Sequence, residues 1–395
     1  MSDYLPFLIV LMVVAALLRE DSIFLVFYLI AGIYIFSSLW NRQTLKKITF
    51  RREFTPRAFY GENIPVQVVV ENPGRLPSSW LLIHDSLPAE LITPNFIRQV
   101  IHLPAHGKAV IEYNLQARKR GIYPVGPFLL RSGDFFGLTG ELARHGDPDS
   151  LIVYPRVIPL RITHLPSHAL FGTLRHHEPL FEDPARIGGK REYQPGDSLR
   201  RLDWKASASS GQLVIKQYQP SIALETCVIL DLHESSYPVR NRIQVTELAV
   251  TTAASLANWI ISRQQAVGLI CNGTDPAAEE GIPTVLQPHK GRPQLIQVLE
   301  QLARIQIGHR EELPEILRRS ASSLAWGTTI LLVTGRVDDQ VFDALFQMRR
   351  HGLDVVVLLV GSAQNSSSLR KQASSFNIPL YPLQSERDLE SWQMH

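Results

Sequence analysis

Within five consecutive positions, Asp231-Leu232-His233-Glu234-Ser235, this sequence sets two carboxylates, an imidazole and a hydroxyl directly after an apolar run. Such a cluster could offer ligands to a metal ion or general acid–base groups to a hydrolytic reaction. An enzyme needs convergent titratable groups, and only Asp231, His233 and Glu234 lie close in sequence here. Other catalytic patterns are incomplete. Gly188-Gly189-Lys190 lacks both the upstream glycine and the following Ser/Thr of a phosphate-binding loop. His176-His177-Glu178 has no partner pair at metal-ligand spacing and reads as a solvated linker. No Ser stands in a G-x-S-x-G elbow. No complete active site is legible, and no catalytic residue is assigned.

The longest stretch of specific character runs from Arg191 to Ser207 (REYQPGDSLRRLDWKAS). Pro195-Gly196 predicts a turn, Asp197 is placed to cap a short helix, and Leu199, Leu202 and Ala206 would form that helix's buried stripe. Arg200 could reach Asp203 at i,i+3 and Trp204 at i,i+4. Two readings follow. The block is a structural joint between domains, or its Arg191, Tyr193, Asp197, Arg200, Arg201, Asp203, Trp204 and Lys205 form a docking surface, since Arg and Trp dominate interface hot spots.

The elements that must position these residues fall into four segments. In residues 1–41, the uncharged stretches Pro6–Leu18 and Ser22–Trp40 predict a two-helix transmembrane hairpin, the second helix long enough to cross about 30 Å of hydrocarbon. Arg42, Lys46, Lys47, Arg51 and Arg52 crowd after it, whereas the turn holds only Arg19, so both ends of the hairpin are expected to face the cytoplasm. Residues 49–159 show short alternating runs such as IPVQVVVEN, SWLLIHDSLP and AVIEYNLQA, the pattern of an antiparallel β-sandwich. Residues 160–225 comprise a linker and the specific block. Residues 226–395 alternate apolar strands (CVILDL, AVGLICNG, TTILLVTG, DVVVLLVG) with amphipathic helices, one carrying Val245, Leu248, Ala249, Thr252, Leu256, Trp259 and Ile260 at helical spacing. Strands this apolar are covered on both faces, which predicts a mainly parallel sheet with ligand loops after Leu232 and Val333.

Charge and cysteine content narrow the partners. Forty Lys+Arg against 37 Asp+Glu leave a formal charge of +3, far from the basic field of a nucleic-acid binder. Cys227 and Cys271 both sit in apolar runs, so no disulfide framework is expected.

Asp231-Leu232-His233-Glu234-Ser235 resembles the Asp-x-Ser-x-Ser metal-dependent adhesion motif of von Willebrand factor A domains, which holds magnesium through oxygens from three loops. Asp231 and Ser235 match. His233 replaces the first serine, Thr334-Gly335 stands where the third loop carries an aspartate, and no second-loop threonine occurs near Gly291-Arg292-Pro293. Losing oxygen ligands weakens magnesium, which demands octahedral oxygen geometry, and His233 would favour a softer metal. Asp231, His233, Ser235 and Thr334 are therefore weak metal candidates, and no cofactor is expected.

REYQPGDSLRRLDWKASASSGQLVIKQY is similar to the signature of the domain-of-unknown-function 58 family. RKRGIYPVGPFLLRSGDFFGL, AVGLICNG and GRPQLIQVLEQLARIQ extend the likeness over nearly the whole chain. The resemblance implies a bacterial inner-membrane protein with cytoplasmic soluble domains, a degenerate von Willebrand factor A-like (Rossmann-like) α/β domain, and association with MoxR-type AAA+ ATPases in chaperone or assembly work. Other envelope or von Willebrand factor A-containing proteins are further possible partners. The expectation is a membrane-anchored scaffold that presents its α/β domain to such an ATPase. The alternative is a metal-dependent ligand binder or hydrolase centred on Asp231 and Ser235.

Overall fold

The structure is a computed structural model, and it describes residues 5–18, 21–91, 96–133, 142–160, 182–194, 197–198, 202–220, 225–276, 284–309, 311–361 and 366–390. The chain divides into two compact units, Met1–Pro155 and Arg156–His395.

The first unit opens with helices α1 (Leu5–Leu18) and α2 (Asp21–Lys47). Of the two, α2 is long and apolar enough to cross a membrane, and α1 is a shorter apolar helix. The strands that follow are β1 (Thr49–Glu53), β2 (Arg57–Phe59), β3 (Asn63–Glu71), β4 (Ser78–Ser86), β5 (Phe96–Leu103), β6 (Lys108–Gln116), β7 (Gly121–Val125), β8 (Phe128–Gly133), β9 (Leu142–Gly146) and β10 (Asp149–Tyr154). They form sheets of order β1-β3-β6, β2-β10-β7 and β5-β4-β8-β9. Alternation drives this assembly: β3 buries Ile64, Val66, Val68 and Val70, and these meet Leu81, Ile83, Ile111, Leu115 and Leu130 in one core. Pairing is antiparallel as expected, with one exception. The three-residue strand β2 pairs parallel to β10, which is possible because most of the unit lies between them in sequence and supplies the crossover.

The last turns of α2 are part of this unit. Ser37, Asn41, Thr44 and Leu45 are buried, Trp40 Nε1–H donates to Pro77 O at 3.0 Å, and Asn41 Nδ2 donates to Ser132 O at 3.2 Å. Helix α2 thus runs without a linker from its apolar stretch into the β-sheets.

The second unit begins with β11 (Glu182–Glu192), α3 (Trp204–Ser210) and β12 (Val214–Pro220), in which β11 and β12 pair antiparallel. Then come β13 (Thr226–Leu230), α4 (Arg242–Ser262), β14 (Val267–Cys271), β15 (Thr284–His289), α5 (Arg292–Arg304), α6 (Leu313–Ser323), β16 (Thr329–Thr334), α7 (Asp339–Arg350), β17 (Asp354–Val360), α8 (Ser366–Ser375), β18 (Leu380–Leu383) and α9 (Glu386–Glu390). The sheet order is β15-β14-β13-β16-β17-β18, parallel throughout except for the edge strand β15. Every residue of β13, β14 and β16 is buried, because helices cover both faces. The strand order reverses between β13 and β16, and a doubly wound sheet opens its crevice at the carboxyl ends of the strands flanking such a point.

Candidate functional site

Asp231 leaves β13 at this switch point and is 0% exposed. A carboxylate so deeply buried must be compensated by hydrogen bonds. Three donors supply them. Asn272, directly after β14, gives Nδ2–H to Oδ1 at 2.8 Å; His233 gives its backbone N–H to the same oxygen at 3.0 Å; Thr334, the last residue of β16, gives its hydroxyl to Oδ2 at 2.8 Å. The amide orientation of Asn272 is dictated by its other partners, since its Oδ1 accepts from Leu232 N at 2.6 Å and its Nδ2 also reaches Glu311 O at 3.0 Å. Tyr237 closes the back of the site by donating its hydroxyl to the Asp231 carbonyl. Burial, with the nearby Asp231 charge second, raises the Tyr237 hydroxyl well above its usual pKa and keeps it a phenol.

The arrangement ties the ends of β13, β14 and β16 together. It does not suit magnesium, because both carboxylate oxygens of Asp231 face proton donors and Asn272 turns its NH2 group, not its oxygen, toward them. His233 and Ser235 pair with each other instead, His233 Nδ1 lying 2.7 Å from Ser235 Oγ and accepting from Ser235 N. Thr334 is engaged by Asp231 and by Arg336. Of the weak metal candidates, then, Asp231 and Thr334 converge, while His233 and Ser235 form a separate local turn. Asn272 was not legible as a site residue; its only sequence signal is the Asn-Gly that ends AVGLICNG.

Beside this network, Ser235, Ser236, Glu312, Arg336 and Asp338 border an open cleft of about 510 Å³. Asp338 is committed to capping α7, accepting from Val341 N at 3.1 Å, and pairs with Arg336. The chain leading into α4 exposes two apolar side chains four residues apart, Val239 at 81% and Ile243 at 74%.

The block from Arg191 differs from its sequence reading in where the helix begins and in which residues it buries. The helix cap is Asp203, not Asp197: Ala206 N donates to Asp203 Oδ1 at 3.1 Å, and α3 starts at Trp204. Asp197 is unavailable for that task because Arg191 grips it with both guanidinium nitrogens, at 2.7 and 2.8 Å, while Gln194 N donates to it at 2.8 Å. A bidentate charged pair outcompetes a single capping bond. Leu202 is buried as expected, but it precedes the helix and bridges to Ile215; Ala206 is only half-buried. Lys190, which the sequence showed only as the end of an incomplete phosphate-loop pattern, lies 2.9 Å from Asp203 Oδ2. Its hydrogen bond, with that from Ala206 N, holds the Asp203 carboxyl below the usual carboxylate range. Gly211 closes the helix in the left-handed region, its N–H reaching Ser207 O.

Arg191, Asp197 and Asp203 are thus consumed within the β11–α3–β12 unit, Tyr193 is half-buried, and Trp204 and Lys205 face solvent, Trp204 at 73% exposure. Arg200 and Arg201, like Pro195, Gly196, Leu199, His176, His177 and Glu178, lie outside the described residues.

Residues 189–365, from the last residues of β11 through the sheet's switch point to just past β17, match the family described as protein of unknown function DUF58. The chain carries a DUF58 region. It is also 23% identical over 255 residues to the uncharacterized protein YeaD of Bacillus subtilis (strain 168), a match covering 63% of this chain and 62% of YeaD. Both the signature block and the Asp231 network fall inside the DUF58 match. Among solved structures, proximal thread matrix protein 1 from the mussel byssus aligns with 43% of this chain and 46% of its own at 13% identity and a TM-score of 0.32. A CARDB domain from Pyrococcus furiosus, solved with di-metal ions, aligns with 27% of this chain and 91% of its own at 14% identity and a TM-score of 0.21. At such scores neither likeness bears on fold or function.

Proposed function

We propose that this DUF58 protein is a membrane-anchored scaffold that presents a von Willebrand factor A-like domain to a cytoplasmic MoxR-type AAA+ ATPase. The observation that carries the reading is Trp204: a tryptophan 73% exposed on a helix whose neighbouring Asp203, Lys190 and Ser207 are all spent on internal bonds. Large aromatic side chains are costly to leave in water and are the residues most enriched among interface hot spots. The exposed Val239 and Ile243 beside the strand-end face support the same reading. A doubly wound sheet with one antiparallel edge strand and its ligand-type loops beside Asp231 supports the von Willebrand factor A-like assignment.

Anchoring rests on α2, whose apolar length fits a bilayer and whose last turns are built into the first unit rather than dispensable, as a cleaved leader would be. On this reading α1 and α2 insert as a hairpin. The exposed Arg42, Lys46, Lys47 and Arg51 then hold the soluble units on the cytoplasmic side; Arg52 is buried against Asp85 and adds nothing at the surface.

The test is co-purification of the ATPase from membranes with ATP hydrolysis blocked. Trp204→Ala should weaken capture about tenfold or more, the cost expected of a hot spot, while changing stability by no more than about 0.5 kcal/mol, as surface substitutions do. Undiminished capture by folded Trp204→Ala would remove the proposed surface.

The metal-dependent alternative has no comparable support, since the Asp231 oxygens already accept from three donors. Magnesium or manganese titrated into the full chain should leave the melting temperature unchanged, because any ligand that binds only the folded state raises it by mass action. A rise abolished by Asp231→Ala would reinstate that reading.

A further inference from the structure

Two cavities border the last turns of α2 and share Thr44. One, of about 340 Å³, lies against Phe36, Trp40 and Pro77. The other, of about 230 Å³, lies against Lys47 and Arg75. Phe36, Trp40, Thr44 and Lys47 follow one another at steps of four, four and three residues and so share one face of the helix. The opposite wall is the loop between β3 and β4, which closes on α2 at two points. Trp40 Nε1–H donates to Pro77 O, and the stem of Lys47 lies against Gly74, where an added Cβ would stand 3.2 Å from Lys47 Cδ. The two cavities, which meet at Thr44, lie end to end along α2 over about 16 Å at 1.5 Å per residue, and we read them as one groove, aromatic at one end and cationic at the other. Lys47 and Arg75 are exposed, and neither has an acidic partner among the described residues.

We propose that this groove holds one anionic phospholipid, with an acyl chain along Phe36 and Trp40 and its phosphate between Lys47 and Arg75. The proposal rests on reading α2 as a membrane span. The order of the walls matches such a lipid in direction as well as in kind. The apolar end continues the hydrophobic stretch of α2, Trp40 stands where indole rings collect at a bilayer boundary, and Lys47 comes about two turns further along the helix, with Arg75 beside it, at headgroup depth. A soluble anion would be served by Lys47 and Arg75 but not by the aromatic wall, and a purely apolar ligand would have no use for the cations.

The experiment uses the full chain in nanodiscs of phosphatidylcholine mixed with phosphatidylglycerol, with native mass spectrometry after mild detergent release. Wild type should retain one phosphatidylglycerol per chain, in at least tenfold preference over phosphatidylcholine. Lys47→Gln with Arg75→Gln should abolish the preference. Arg42→Gln with Lys46→Gln removes the same charge from exposed positions that border neither cavity, and should keep it. Loss in both double variants, or displacement by millimolar glycerol 3-phosphate, would overturn the proposal in favour of unspecific charge attraction or a simple anion site. Melting curves of both variants establish that they fold. A carbonate wash separates the premise from the inference: a chain released from membranes by the wash sinks the membrane reading together with the groove, whereas a chain that stays in the membrane without retaining phosphatidylglycerol sinks the groove alone.

Discussion

Asp85 in the first unit and Asp231 in the second are the two most deeply buried carboxylates among the described residues, and they are neutralised by opposite means. In the first unit Asp85 is 1% exposed and Arg52 grips it from Nε at 3.2 Å and Nη2 at 2.7 Å, while Tyr113 donates its hydroxyl at 2.6 Å. The Arg52 side chain is 3% exposed and also reaches Val125 O at 3.0 Å and the Asp149 carboxylate. Burial alone would lower the Arg52 pKa, but hydrogen bonding to Asp85 and its charge more than reverse this. Asp231 in the second unit has no cation at hydrogen-bonding distance among the described residues; its charge rests on an amide, a hydroxyl and a backbone N–H. The ion pair joins β1 to β4 inside the first unit. Neutral dipoles around a lone carboxylate instead tie the ends of three strands to one side chain, each donor carrying only part of the compensation.

Three measurements would break or sharpen that contrast. The largest effect should come from Arg52→Met, which strands Asp85 without its cation and should cost the first unit about 3–5 kcal/mol in urea denaturation, as breaking one side of a buried pair does. Adding Asp85→Leu should recover much of the loss; a single-variant cost below about 1 kcal/mol would mean the pair is effectively solvated. Asn272→Ala comes next. It removes one of three donors from Asp231 and orphans the Leu232 N–H, for about 1–3 kcal/mol from unsatisfied buried groups. If it cost as much as Arg52→Met, Asp231 would depend on a single partner and the idea of distributed compensation would fail.

The third effect is absent at neutral pH and concerns a buried group that stays neutral there. Burial, with the charge of Glu225 second, pushes the Cys227 thiol up from 9.0 to about 12. A raised folded-state pKa contributes stability that is complete below the unfolded value and fades as pH rises through the folded one. The second unit should therefore lose stability between about pH 9 and 12, and Cys227→Ala should flatten that slope relative to wild type. An identical slope in the variant would show that the thiol does not titrate with unfolding.

What the sequence determined by itself was whatever a short window can encode. Uniformly apolar runs such as CVILDL and DVVVLLVG became strands buried on both faces, alternating runs such as IPVQVVVEN became a one-sided core, and the apolar stretch after Ser22 became a long helix. Each outcome depends on residues within one element, where periodicity and side-chain volume leave little choice. Tertiary structure decided the rest. Asn272 and Thr334 stand 41 and 103 positions from Asp231, and only the strand order β14-β13-β16 brings all three to one edge of the sheet. The same holds for the rival caps Asp197 and Asp203. Both residue types favour an N-cap, and the choice fell to Asp203 because strand β11 delivers Arg191 to Asp197 and Lys190 to Asp203. Local composition offered two equivalent carboxylates; what distinguishes them is the folded path of the chain, which turns Arg191 back onto Asp197 six residues on and Lys190 onto Asp203 thirteen residues on.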